Sequence, residues 1–131
     1  MNLSENYSAS EDLLKDRVIL VTGAGQGLGR AAALTYARHG ATVILHGRKV
    51  KKLEGVYDEI EAIGKAQALI FPLDFERAEE KDYAVLTQAI GEQLGRLDGI
   101  LHNAAFLYDL SPLEYQTAAQ WRVIFQINVI A

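Results

Sequence analysis

Short apolar runs alternate with longer amphipathic segments along the chain. Residues 18–21, Val-Ile-Leu-Val, are mostly β-branched and precede Thr22-Gly23, which predicts a strand buried on both faces, as parallel strands are. Further apolar runs predict strands at 42–45, at 68–71 and at 97–102. We therefore expect four short strands.

The segments between these strands carry apolar residues at three- and four-residue spacings, which is typical of amphipathic helices. Helices are predicted at 28–39, 49–63, 78–94 and 118–131, and a glycine follows each of the first three. Strand and helix thus alternate four times. Since crossovers between parallel strands are right-handed, the sequence predicts a doubly wound α/β fold, with helices on both faces of a parallel sheet.

Composition narrows the classes of function. The chain has 131 residues, no cysteine, a formal net charge of -4 and 50% hydrophobic residues. The absence of cysteine excludes disulfides and thiolate metal sites, and the three histidines show no metal-ligand spacing. The charge balance provides no basic face for nucleic acid, and no stretch approaches the ~18 apolar residues of a membrane span. We expect a cytoplasmic domain that follows a polar N-terminal extension at residues 1–12.

The most informative segment is the glycine-rich loop between the first strand and the first helix, which reads Thr22-Gly-Ala-Gly-Gln-Gly-Leu-Gly29. Gly23 permits a sharp turn off the strand, Gly27 lets backbone amides approach a pyrophosphate, and Gly29 allows close packing of helix on sheet. The spacing differs from Gly-x-Gly-x-x-Gly, and no Gly-Lys-Ser/Thr follows as in a P-loop. A glycine-rich turn without a ligand is the alternative.

This loop resembles the cofactor motif of the short-chain dehydrogenase/reductase family, in its common single-domain form. Asn103-Ala104-Ala105 resembles the family's Asn-Ala-Gly after strand four, and Asp74 and Asn128 match two further landmarks. The resemblance covers residues 13–131, and its departure is Ala105, where relatives have glycine. It implies an NAD(P)-binding Rossmann domain with strand order 3-2-1-4, which leaves strand four at an open edge.

The resemblance also implies a set of cofactor-binding residues. Asp74 would bind the adenine amino group with Phe75 beside it, and Asn103 and Ala104 would line the adenosine side. Asp74 could equally cap a helix near Glu76, and Asn103 could brace neighbouring strands. The whole implied set is Gly23, Gln26, Gly27, Leu28, Gly29, Arg48, Asp74, Phe75, Asn103 and Ala104.

Cofactor selectivity is usually decided at the end of the second strand. The segment there, Leu45-His-Gly-Arg48-Lys49, has no carboxylate to bind a ribose hydroxyl, whereas Arg48 can bind a 2′-phosphate through two charge-assisted hydrogen bonds. We therefore favour NADP over NAD. Arg48 could instead be a solvated residue at a helix start. Relatives that prefer NADP often carry a second basic residue just before the middle glycine, where this chain has Gln26.

The family uses a tyrosine, a lysine four residues later, a serine and an asparagine in catalysis. Only the asparagine has a counterpart here, Asn128, whose role in relatives is to hold a water in the proton relay. None of the six tyrosines is followed by lysine four positions later. Asn128 could instead be an asparagine satisfied within a helix, and we expect His102 to be a packed histidine.

The chain thus resembles the N-terminal half of a short-chain enzyme, lacking the Tyr-x-x-x-Lys region, and we expect no turnover from these 131 residues alone. The leading hypothesis is an NADP-dependent oxidoreductase for a small alcohol or carbonyl substrate, homo-oligomeric at full length. Two alternatives are a non-catalytic nucleotide-binding or regulatory module and a methyltransferase of Rossmann-like build. An acidic residue commonly holds the ribose in the latter, so Arg48 argues against it.

Overall fold

The sheet has the strand order that the sequence predicted. A computed structural model describes residues 8–131, and within them four parallel strands lie in the order β3-β2-β1-β4. The strands are β1 (Val18–Val21), β2 (Thr42–Gly47), β3 (Ala68–Pro72) and β4 (Gly99–Leu101). The predicted doubly wound α/β fold is confirmed, and β4 forms one edge of this sheet.

Four α-helices follow the strands in the described part of the chain. They are α1 (Gly27–Arg38), α2 (Val50–Ile63), α3 (Glu80–Leu94) and α4 (Ala118–Phe125). α2 and α3 end at Gly64 and Gly95, whose φ angles of 70° and 71° lie in the left-handed region that glycine adopts without strain. None of these helices is long and apolar enough to cross a membrane.

The elements β4 and α3 are each about two to three residues shorter than predicted, for local reasons. β4 begins at Gly99 rather than Leu97. Asp98, just before it, binds Val18 twice: its amide donates a 2.8 Å bond to the Val18 carbonyl, and its carboxylate accepts a 2.8 Å bond from the Val18 amide in place of a backbone carbonyl and pairs with Arg17 and Arg96. These bonds hold the pKa of Asp98 well below its usual range, with the Arg96 hydrogen bond as the largest cause. α3 begins at Glu80 because Glu79 and Asp82 form a capping box there.

The last helix also departs from the prediction. α4 does not run to Ala131; its α-helical hydrogen bonding stops at Phe125, and Gln126–Ile130 form a π-helical turn. Single π turns are rare, and they often occur at functional sites. Here the turn places the side chains of Gln126 and Asn128 against loops at the carboxyl edge of the sheet.

The core lies mainly on one side of the sheet. The face that carries Val21, Val43 and Leu45 packs against α1 and α2, where Leu53 and Ile60 are fully buried. On the other face, Val18, Leu20 and Ile44 are buried beneath residues of α3. These α3 residues are themselves only partly buried. The β1–α1–β2–α2 unit is therefore the best-packed part of the described chain, and it carries the glycine-rich loop.

The predicted polar extension falls largely outside the described residues, which begin at 8. The described end of the extension is bound to the domain, because Glu11 pairs with Lys65, and the segment after it is bound as well, because the Leu14 amide donates a 2.9 Å bond to the His39 carbonyl.

Candidate functional site

The glycine-rich loop turns from β1 onto the carboxyl edge of the sheet. Gly23 and Gly27 have φ angles of 67° and 56°, in the region that side chains other than glycine rarely adopt. A Cβ built on Gly27 would meet no atom within 4 Å. The loop is therefore bare on the side where Gly27 lies, as a ligand that approaches the backbone requires.

Gly29 has no side chain because there is no room for one. A Cβ at this position would overlap the carbonyl oxygen of Gly23 and lie 2.5 Å from Nδ2 of Asn103. The first turn of α1 is thus in direct contact with the end of β1, which is the close helix–strand approach expected from the sequence.

Thr22 and Asn103 fix the loop to the segment after β4. The Thr22 hydroxyl accepts 2.9 Å bonds from the amides of Asn103 and Ala104 and donates to the Leu101 carbonyl. The Asn103 side-chain amide donates to the carbonyls of Thr22 and Gly23, at 3.0 and 3.3 Å. Asn103 therefore braces the two strands, as its alternative interpretation proposed. The bracing role of Thr22 was not predicted, because its partners lie about 80 residues further along the chain.

The N-terminus of α1 is left without a cap. Its N-cap residue is Gln26, whose side chain makes no capping bond, and the first turn contains no acidic residue. By contrast, α3 and α4 both begin with a complete capping box. Unsatisfied amides and the positive end of the helix dipole therefore lie beside the bare loop, an arrangement that favours an anion.

A groove with a cavity volume of about 340 Å³ runs along this edge of the sheet. Its walls come from the glycine-rich loop, the end of β2, the start of α2, and the segments after β3 and β4. Most of the residues predicted to bind a cofactor line it: Gly23, Gln26, Gly27, Arg48, Asp74, Phe75, Asn103 and Ala104. Leu28 and Gly29 do not; Leu28 is 82% exposed and Gly29 is packed on Gly23.

Asp74 faces the groove with one oxygen already engaged. Its Oδ1 accepts a 3.1 Å bond from the Glu76 amide and closes a turn; the helix cap considered from the sequence is wrong, because α3 begins only at Glu80 with Glu79 as its N-cap. Within residues 8–131, no hydrogen-bond partner is seen for Oδ2. Asp74 can therefore keep its turn and still accept a bond from a ligand.

His46 forms part of the wall, although no motif or spacing in the sequence marks it as a site residue. The residue is 2% exposed, stacks on Phe75 with 4.2 Å between ring centroids, and has no partner for either ring nitrogen in the described part of the chain. Burial lowers its pKa to about 4, although the nearby Leu73 backbone opposes this fall. His102, expected to be packed, is exposed instead.

Asn128 lies on the π-helical turn and binds the backbone after β4. Its Oδ1 accepts from the Phe106 amide and its Nδ2 donates to the Phe106 carbonyl, both at 2.8 Å. Gln126, on the same turn, donates a 3.2 Å bond to the Phe75 carbonyl. Asn128 is thus satisfied by a loop rather than within its own helix, and together the two residues connect three walls of the groove.

The cations of the groove are concentrated at the start of α2. Arg48, Lys49 and Lys52 line it, and none of them has a carboxylate partner among residues 8–131. Arg48 is exposed at the groove wall, so its position is compatible with either interpretation made from the sequence. The Lys52 amine donates a hydrogen bond to Oε1 of Gln26.

Comparisons with known proteins agree on one family. A family model described as short chain dehydrogenase matches residues 17–131. The Escherichia coli (strain K12) oxidoreductase YciK is 45% identical over 126 residues, which cover 96% of this chain and 50% of YciK. The chain thus spans about half the length of the curated relatives it matches.

Solved structures give the same result. A short chain dehydrogenase from Pseudomonas syringae superimposes with a TM-score of 0.91 and 44% identity, covering 95% of this chain and 51% of its own. A short chain dehydrogenase from Shigella flexneri 2a, complexed with NADP, gives a TM-score of 0.88 and 46% identity, covering 92% of this chain and 51% of its own.

The contact at Gly29 generates the first prediction. We expect Gly29→Ala to displace α1 from β1, lower the stability of the full-length protein and weaken nucleotide binding at least about tenfold, because a Cβ cannot coexist with the Gly23 carbonyl. Gly55→Ala is the matched control, since its Cβ would meet nothing within 4 Å and alanine favours a helix. Thermal unfolding and titration with nucleotide measure both effects. Equal unfolding temperatures and equal nucleotide affinities for the two variants would contradict the contact between Gly29 and Gly23.

Burial of His46 generates a pH-dependent prediction. The unfolded imidazole titrates near 6.5 and the folded one at about 4, so the unfolded chain binds more protons between these values. The contribution to the free energy of unfolding is therefore fully present above pH ~6.5 and falls by about 3 kcal/mol as the pH drops towards 4. Urea unfolding of the full-length protein between pH 4.5 and 8 measures this loss. His46→Leu should reduce it, whereas the exposed His102→Gln should leave it unchanged; the same pH dependence in all three proteins would exclude His46 as its source.

Proposed function

The chain belongs to the short chain dehydrogenase family, and from this membership we propose that it is the cofactor-binding half of an NADP-dependent oxidoreductase. The bound nicotinamide would supply or accept the hydride that interconverts an alcohol and a carbonyl. The observation that carries the proposal is the uncapped start of α1 beside a loop whose Gly23 and Gly27 leave the backbone bare towards the groove. The residues present fit a dinucleotide at this place.

The pyrophosphate is proposed to lie over the glycine loop. Two negative phosphates need donors, and the first amides of α1 have no intrahelical or capping partner. Gly23 and Gly27 keep the backbone accessible, while Gly29 keeps α1 close enough to β1 to direct its N-terminus at the groove. In this arrangement Leu28 acts through its backbone amide, which fits its exposed side chain, whereas the side chain of Gln26 holds Lys52.

The adenosine half is proposed to lie between the segments that follow β3 and β4. The second carboxylate oxygen of Asp74 can accept a bond from the adenine amino group, and Phe75 offers an aromatic surface beside it. Asn103 and Ala104 form the opposite wall. Asn103 uses its side-chain amide to hold the loop, so its contribution to binding is mainly to position Gly23.

The choice of NADP rests on charge at the end of β2. Arg48 and Lys49 line the groove there, and Asp74, after β3, is the sole carboxylate among its described lining residues. A guanidinium attracts a 2′-phosphate and can donate two parallel hydrogen bonds to it. The Shigella flexneri relative was solved with NADP, and NAD is the less favoured cofactor.

The proposed catalytic contribution of these residues is limited to Asn128. The side-chain amide of Asn128 is bonded to the Phe106 backbone. It would therefore act by holding the segment after β4 in place for the bound nicotinamide rather than by exchanging a proton with substrate. No tyrosine lines the groove within residues 8–131. In a full-length enzyme, the proton-transferring group, most of the pocket for a small alcohol or carbonyl, and any homo-oligomer contacts are proposed to come from residues outside this chain, which spans about half the length of its curated relatives.

Calorimetric titration of the full-length protein tests the cofactor. We expect NADPH to bind more tightly than NADH, and adenosylmethionine not to bind, because the groove presents cations where the 2′-phosphate would lie. Arg48→Gln should weaken NADPH binding roughly ten- to hundredfold, as expected for the loss of a charged hydrogen-bond pair, with a much smaller effect on NADH. Arg77→Gln, outside the groove, is the control.

The same protein then distinguishes the functions that the sequence left open. NADPH-dependent reduction of a carbonyl supports the oxidoreductase. Tight nucleotide binding with no turnover on a broad carbonyl panel supports the non-catalytic module. Binding of adenosylmethionine in place of both nicotinamide cofactors would overturn the proposal in favour of a methyltransferase.

A further inference from the structure

Three positively charged side chains lie at the N-terminal end of α2, where they lower the stability of the helix. Lys49 is the N-cap, and Lys51 and Lys52 belong to the first turn, which contains no acidic residue and no side-chain cap. Positive charges are repelled by the positive end of the helix dipole, whereas acidic residues there would be favourable. Their presence is explained if an anion occupies this end of the helix.

These cations do not all face the same way. Lys49 and Lys52 line the groove, whereas Lys51 does not. Both Lys51 and Lys52 are exposed. Lys51 and Lys52 therefore lie in the same helix turn and in the same dipole field, but only Lys52 lines the groove.

Lys52 is held against the glycine loop. A Cβ on Gly25 would lie 3.0 Å from the Cβ of Lys52, so the start of α2 packs directly on the loop. The Lys52 amine donates to the side-chain oxygen of Gln26 and has no carboxylate partner in the described chain. A positive charge is thus present beside position 26, although the residue at that position is neutral.

We propose that Lys52 is a specificity-determining residue, which provides a second positive charge for the ribose 2′-phosphate and is positioned for this by Gln26. The proposal rests on the proposed function, because it assumes that the groove binds NADP. The pyrophosphate already has the amides of α1, whereas Lys52 follows β2, after which the ribose of a dinucleotide lies. Its charge therefore acts with Arg48 on the phosphate that distinguishes NADP from NAD.

The test measures dissociation constants of NADP⁺ and NAD⁺ for the full-length protein and its variants. We expect Lys52→Gln to weaken NADP⁺ binding roughly tenfold or more and to change NAD⁺ binding less than about threefold. Lys51→Gln removes the same charge from the same helix turn outside the groove, and it should alter neither constant. Lys52→Arg should retain most of the preference, because it retains the charge.

Two further measurements separate a phosphate contact from a general effect on the fold. Adenosine 2′,5′-bisphosphate should lose affinity in Lys52→Gln while adenosine 5′-monophosphate does not. Gln26→Leu should reduce the NADP⁺ preference by a smaller factor, since the lysine remains but loses its anchor. Circular dichroism and thermal unfolding should show that Lys52→Gln and Lys51→Gln are folded alike.

The outcomes keep this inference distinct from the proposed function. If the wild type prefers NADP⁺ and Lys52→Gln keeps that preference, the role of Lys52 is overturned while the proposed function stands. An equal loss of NADP⁺ and NAD⁺ affinity would place Lys52 at the pyrophosphate and also overturn the inference. A wild type that binds neither nucleotide would overturn the proposed function and the inference together.

Discussion

The site depends on one steric constraint, the contact between Gly29 and the carbonyl of Gly23. Because no side chain separates them, the first turn of α1 lies directly against the end of β1, and the loop between them must double back within a few residues. That path requires positive φ angles at Gly23 and Gly27, which removes two more side chains from the surface facing the groove. One requirement for close packing therefore produces the bare loop, the direction of the helix N-terminus and the accessibility of its amides.

The constraint is maintained by polar contacts that reach across the sheet. The Thr22 hydroxyl donates one hydrogen bond and accepts two, and the Asn103 side chain donates two bonds to carbonyls of the loop. These contacts fix the turn to the end of β4. The hydrophobic core supports the same region, since fully buried Leu53 packs beneath Gly47 at the end of β2. The opposite side of the sheet is less complete: Ile100 on the edge strand β4 is 47% exposed. Stability and the candidate site are thus concentrated in the same β1–α1–β2–α2 unit.

The sequence was sufficient for the order of elements, because buried strands and amphipathic helices have periodicities that single residues rarely obscure. It was sufficient for much of the glycine loop as well, since Gly23 and Gly27 meet a local requirement for positive φ angles. It failed where the decisive contact lies far along the chain: Asn128 meets Phe106 22 residues away, and Lys52 meets Gln26 across 26 residues. The π-helical turn and the unpartnered nitrogens of His46 are likewise products of tertiary packing, and no spacing of residue types encodes them. His102 shows the converse error: the apolar run predicted a strand that includes it, whereas β4 ends at Leu101 and leaves His102 exposed beyond the strand.

The four helices differ in whether their N-terminal ends are stabilised by a cap. α3 and α4 begin with capping boxes, which typically contribute about 1 kcal/mol, and they do not border the groove. α1 and α2 both border it, have neither a capping side chain nor a first-turn acid, and α2 adds cations whose interaction with the dipole costs about 0.3–1 kcal/mol each. A cap on either helix would place a side-chain oxygen on the amides, and an acid would place negative charge at the groove. Both would compete with the phosphates of the proposed cofactor, so unfavourable starts of α1 and α2 are what that proposal predicts.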